Sequence, residues 1–233
     1  MRVDLISREA RRLRFEAVLV GRAPYIVPVI VLAAAALIGI LVKDTARMFT
    51  AALEAAVPLA AGIFAASLVA SESSLEIQLS SPDGFRPAGL RRLGLIFGWS
   101  ALCCLVGWLV ASITGGLSGW QPDGGPVAAQ LIWLPSLVSF TLVGCLAGLA
   151  SRSRSVANSA IALLWVGCNF FHAAFRTWPW LPYVFPFMTT YEPQAGDWLP
   201  TRLVLLAVDL AALAAVWIWL GAEEWLLSSE DRS

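Results

Sequence analysis

Between Arg22 and Lys43 runs an unbroken charge-free stretch, APYIVPVIVLAAAALIGILV. At about 1.5 Å of rise per residue it makes a helix about 30 Å long, the thickness of a bilayer's hydrocarbon core. Further apolar runs follow at residues 48–70, 93–114, 127–150, 156–175 and 202–221. They are apolar on all faces rather than alternating, so their backbones satisfy themselves as helices and not as a barrel. The predicted fold class is all-α, a polytopic membrane protein with six transmembrane helices and an N-terminal amphipathic interfacial helix. Composition agrees: 58% of residues are hydrophobic and 14% charged, against about 25% charged in an ordinary soluble domain. So little charge cannot cover a water-facing surface, and so apolar a chain is not disordered. The formal net charge of +0 leaves no global field for nucleic acid.

Charge also orients the chain. With the N-terminus inside, only Lys43, Arg47, Arg176 and Arg202 of the 16 basic residues fall outside, and all the others fall inside. The positive-inside rule then places both termini in the cytoplasm of a cell (inner) membrane. Three regions are expected: an interfacial helix at 1–22, a six-span domain at 23–221 and a cytoplasmic tail at 222–233. In the first, Val3, Ile6, Ala10, Leu13, Ala17 and Val20 form one stripe, and Arg8, Arg11, Arg12 and Arg14 flank it. Such a helix lies among the headgroups of membrane lipid. No removable signal peptide is expected, because arginines interrupt the chain before any apolar core forms.

The inner segment 71–92 reads SESSLEIQLSSPDGFRPAGLRR. Glu72 and Glu76 share one helix face, Ser81 and Pro82 can cap and start a new short helix, and Arg91 and Arg92 sit at the mouth of the third span. A bare connection needs far fewer residues, so this one is expected to bind something. The outer connection 176–200 is rich in aromatics (Trp178, Trp180, Tyr183, Phe185, Phe187, Tyr191, Trp198) and broken by Pro179, Pro182, Pro186, Pro193 and Pro200. It reads as short helical pieces in the outer interface, where aromatic rings prefer to sit.

Taken together, the basic amphipathic helix, the six spans and the Glu- and Pro-containing loop resemble the permease subunit of type 2 ABC transporters. Glu72, Leu75-Glu76-Ile77-Gln78-Leu79 and Pro82 occupy the places where that family carries a Glu-containing segment, a Leu-rich stretch and a proline. The chain departs from the family in having Ser73-Ser74 where a glycine-threonine pair is common. The resemblance implies a coupling helix at about 83–92, with Glu72, Glu76, Pro82, Arg86, Arg91 and Arg92 as ATPase-coupling residues, and a re-entrant outer segment at 177–198. It also implies an ATP-binding-cassette ATPase as partner, a second permease chain in a homo- or heterodimer, and export of an amphipathic or hydrophobic substrate. The chain is not expected to be an enzyme and holds no cofactor of its own. No G-x-x-x-x-G-K-[ST] loop is present and the one lysine is Lys43, so ATP and Mg belong to the partner subunit.

Glu54, His172 and Asp209 are the ionisable residues in or near the apolar runs. Intramembrane charges mark functional sites by default. Topology places all three in the outer half, as the lining of a translocation path or as groups satisfied separately by water, backbone or Asn169. Gly144 and Gly148 permit close helix approach, as generic packing or a dimer seam. Cys103, Cys104, Cys145 and Cys168 all lie in apolar runs and read as small buried residues.

Two other functions fit parts of the chain. Gly116-Leu117-Ser118-Gly119 with His172 resembles the serine and histidine of rhomboid-like intramembrane proteases. Trp120 to Pro126 follows too closely for a helix to start at Ser118, as that family requires. A non-catalytic membrane assembly factor is the third.

Overall fold

The computed structural model describes residues 15–70, 85–117, 125–192 and 195–220. Among the described residues every regular element is a helix. Six long ones organise the bundle: α1 (Ala23–Val42), α2 (Thr45–Val69), α3 (Phe85–Ile113), α4 (Gly125–Ser151), α5 (Arg154–Phe170) and α6 (Trp198–Leu220). Five of them, all but α5, are long and apolar enough to cross a membrane. The predicted span 156–175 is instead a helix of 17 residues followed by a five-residue 3-10 turn, His172–Arg176. Helix α5 alone measures about 25 Å, short of the hydrocarbon thickness. The predicted interfacial helix is described only at residues 15–20, which are helical; its remainder and the tail 222–233 lie outside the described residues.

The α1–α2 hairpin is local chemistry. Lys43 ends α1 in the left-handed region at φ 59°, and the Asp44 amide donates back to the Gly39 carbonyl at 3.0 Å. The Asp44 side chain then caps α2 by accepting from the Arg47 amide at 3.3 Å. Gly39 is required here, since a Cβ would stand 2.8 Å from the Thr45 Cα.

Helices α2 and α4 form the centre, with 61% and 56% of their spans buried, whereas only 11% of α1 is. They run parallel with backbones almost touching. A Cβ on Gly144 would meet the Gly62 carbonyl oxygen at 2.2 Å, and one on Gly148 the Ala66 oxygen at 2.7 Å. The G-x-x-x-G of α4 thus closes a seam inside the chain. Around it, Leu53, Val57, Leu137, Phe140 and Ile161 make a core, while α1 turns Ile30, Leu37, Ile40 and Leu41 outward. The four cysteines are buried and unbridged. An apolar core inside an apolar rim is the signature of a bundle solvated by hydrocarbon, not water.

Polar side chains tie the helices together. Ser67 and Asn158 exchange hydrogen bonds between α2 and α5, Trp165 Nε1 donates to the Ala55 carbonyl at 3.0 Å, and Trp99 Nε1 donates to the Tyr25 carbonyl at 2.8 Å.

Candidate functional site

Helix α2 widens into a π-helical stretch at Ala52–Ala56. Pro58 lies just beyond it. A proline has no N–H to give the carbonyl four residues back, here Glu54, and its ring crowds that carbonyl. The wider turn relieves this, and such π-bulges recur at functional sites. It also turns Glu54 inward to complete burial, with 0% exposure.

The Glu54 carboxylate is surrounded by donors from the other end of the sequence. The Arg202 guanidinium pairs with Oε1, the Thr189 amide donates to Oε1 at 2.9 Å, and the Thr190 amide and hydroxyl both donate to Oε2, the hydroxyl at 2.6 Å. Arg202 is also fully buried and donates to the Pro186 carbonyl at 2.8 Å and to Thr189 Oγ1 at 2.9 Å. Trp198 Nε1 donates to the same hydroxyl at 3.0 Å, and the Ser136 hydroxyl of α4 shares the Pro186 carbonyl. A buried charge is tolerated when most of its lone pairs and protons are met in this way, here all but the Arg202 Nε proton.

The apolar run alone starts the sixth span at Arg202, on its outer edge. Helix α6 in fact begins at Trp198, so Arg202 lies in its second turn. Pro200 does not break the chain, because a first-turn proline lacks only an N–H that has no helical partner anyway.

What the pair holds is the connection from α5 to α6. It is built from 3-10 turns at His172–Arg176 and Leu181–Val184 and one helical turn at Met188–Tyr191. Phe185, Phe187, Met188 and Thr189 are buried in the bundle, and Phe187 stacks on Phe140 of α4 with ring centroids 5.6 Å apart. Trp178 and Trp180 stay exposed. Arg176 pairs with Glu192, and Phe175 packs on Phe185 at 4.7 Å.

His172 belongs to this connection. It is exposed, stacks on Tyr191 at 4.1 Å, and sets Nδ1 3.0 Å from the Asn169 carbonyl. Ser118 lies outside the described residues. Asp209 is separate from both. It stands midway along α6, is 4% exposed, and accepts a hydrogen bond from Ser139 of α4 at 2.6 Å. The three proposed path residues therefore do not converge. Among the described residues no three His, Cys, Asp or Glu side chains are grouped to hold a metal ion.

At the opposite end of the bundle, Glu16 is buried and meets both Arg91 (3.7 Å) and Arg92. This ties the helical segment 15–20 to α3 and engages two of the arginines expected to meet an ATPase. Glu72, Glu76 and Pro82 lie outside the described residues. Arg86 is placed in the first turn of α3.

These features define a helical membrane protein whose connection between α5 and α6 is pinned into its core by a buried ion pair. No protein-family model matches the chain, and neither does any curated protein or solved structure.

Proposed function

We propose that the chain is the transmembrane permease subunit of a type 2 ATP-binding-cassette transporter, exporting an amphipathic or hydrophobic substrate and driven by a separate ATPase. In this reading α5 and the 3-10 turn after it together complete a sixth span, since that turn adds about 10 Å. Both termini then face the cytoplasm of the cell membrane, and a second permease chain completes the transporter.

The observation that carries the reading is the contact of Glu16 with Arg91 and Arg92. A permease without a nucleotide loop must receive force from outside the membrane. The segment 71–84 leads directly into α3, and the Glu16 contact ties the start of α3 to the N-terminal helix. A push on that segment is therefore delivered to two elements at once, through a charged contact that is largely desolvated. The pinned α5–α6 connection supports it from the other side, as a rigid cap against which the helices can move.

Affinity purification of the tagged chain from its native membranes tests this. The expected companion is an ATP-hydrolysing subunit with a G-x-x-x-x-G-K-[ST] loop, in equal number with the permease chains. A chain that purifies from those membranes without any nucleotide-binding companion overturns the proposal.

A further inference from the structure

Helices α3 and α6 both lean on α4 but leave a gap between them. The gap is a cleft of about 530 Å³, within the roughly 300–1,000 Å³ of small-molecule sites. Leu93 and Phe97 of α3, Val138 and Leu142 of α4, and Leu206 and Leu213 of α6 line it. Thr141 also reaches it, but its hydroxyl is spent on the Leu137 carbonyl at 2.7 Å.

The remaining polar lining group is Asp209. Its Oδ1 takes the Ser139 hydroxyl, while Oδ2 is buried with no hydrogen-bond partner. Among the described residues no basic side chain lines the cleft. The contrast with Glu54 is sharp, since both oxygens of Glu54 are satisfied by donors of the chain itself. A buried carboxyl oxygen left open is costly in an apolar setting, and a partner that brings a donor removes that cost.

We propose that this cleft binds a lipophilic amine, with the Asp209 side chain turning out of the cleft wall, where Oδ2 is now covered, so that the ammonium donates to Oδ2 and the hydrocarbon tail lies along the leucines of α3 and α6. A neutral tail alone leaves Oδ2 unpaired, and an anionic head meets a carboxyl of its own sign. The inference deepens the transport reading by naming a cargo class. The site itself rests only on α3, α4 and α6, and it is tested without any ATPase, so the two can fail separately.

The experiment is saturable binding of radiolabelled dodecylamine to the purified full-length chain in detergent, with dodecanol and dodecanoate as competitors. Dodecylamine is expected to bind tightest and dodecanoate weakest. Asp209→Asn should weaken the amine by about tenfold or more while leaving dodecanol within about threefold, as expected for losing one charge-assisted hydrogen bond. Gly94→Leu provides a second variant. Gly94 lines the cleft and a Cβ there meets nothing within 4 Å, so the side chain fills the cleft without a backbone clash. It should abolish saturable binding of both amine and alcohol. Equal affinities for all three ligands mean a crevice for bulk acyl chains and overturn the proposal. Unchanged amine binding in Asp209→Asn, or in Gly94→Leu, overturns it as well.

Discussion

Arg202 and Glu54 stand 148 residues apart in sequence and form an ion pair with both side chains at 0% exposure. Through Thr189, Thr190 and Pro186 the pair fastens the α5–α6 connection to α2. Removing one member of such a pair strands the other, at about 3–5 kcal/mol, whereas replacing both with apolar groups is often nearly neutral. Glu54→Leu and Arg202→Met should each lower the thermal midpoint in detergent strongly, and the double variant should lose less than the two singles summed without returning to wild type, because the Thr189 and Thr190 amides still lack the Glu54 carboxylate. Losses that simply add in the double variant contradict a coupled pair.

The α2–α4 seam gives a second test. A Cβ on Gly144 would lie 2.2 Å from the Gly62 oxygen, while one on Gly167 of α5 meets nothing within 4 Å. Gly144→Ala must push two backbones apart and should cost about 1–3 kcal/mol. Gly167→Ala should be neutral or stabilising by up to about 1 kcal/mol, through helix propensity. Thermal midpoints of the two variants read this directly, and the reverse order would refute the seam.

Glu16 holds the segment 15–20 against α3. Glu16→Ala leaves Arg92, which is 6% exposed, without that carboxylate. Amide hydrogen exchange across residues 15–20 is expected to speed up while exchange across α5 stays unchanged. Identical exchange at 15–20 in both proteins would mean that apolar packing alone seats the segment.

Orientation is tested by single cysteines at Ser81 and Ser118 in a background lacking the native four. The distribution of the basic residues predicts Ser118 outside and Ser81 inside. An impermeant thiol reagent on intact cells should label position 118 and spare position 81. The opposite pattern inverts the topology.

Helical content and most spans were legible because uncharged apolar runs of bilayer length have few alternatives in hydrocarbon. The end of α5 was not. Hydropathy continues through Phe175, but the helix stops at Phe170, and nearby Asn169 gives its side-chain oxygen to Tyr191 and its carbonyl to His172. Tyr191, whose hydroxyl donates to the Asn169 side-chain oxygen, lies 22 residues on, beyond the reach of a window along the chain. The start of α6 was missed because Pro200 reads as a breaker until one sees that it sits in a first turn. Glu54 stands out in the sequence as an acid within an apolar run, but its pairing with Arg202, at the edge of a run 148 residues away, does not. The available signal was complementary: an acid and a base placed by topology near the same membrane face pair more cheaply than either is buried alone.

In the proposed transporter, force from a separate ATPase enters this chain through residues 71–92. The direct measurement is substrate-stimulated ATP hydrolysis, with pull-down of the ATPase, in membranes holding matched amounts of wild-type, Glu76→Arg and Arg86→Glu chains. The account predicts that both variants insert normally, because neither residue interrupts an apolar run, and that both lose stimulation, with weaker pull-down of the ATPase. Losing a desolvated interfacial charge costs about 2–5 kcal/mol, enough to make either loss plain. Full stimulation and full pull-down in both variants would contradict it.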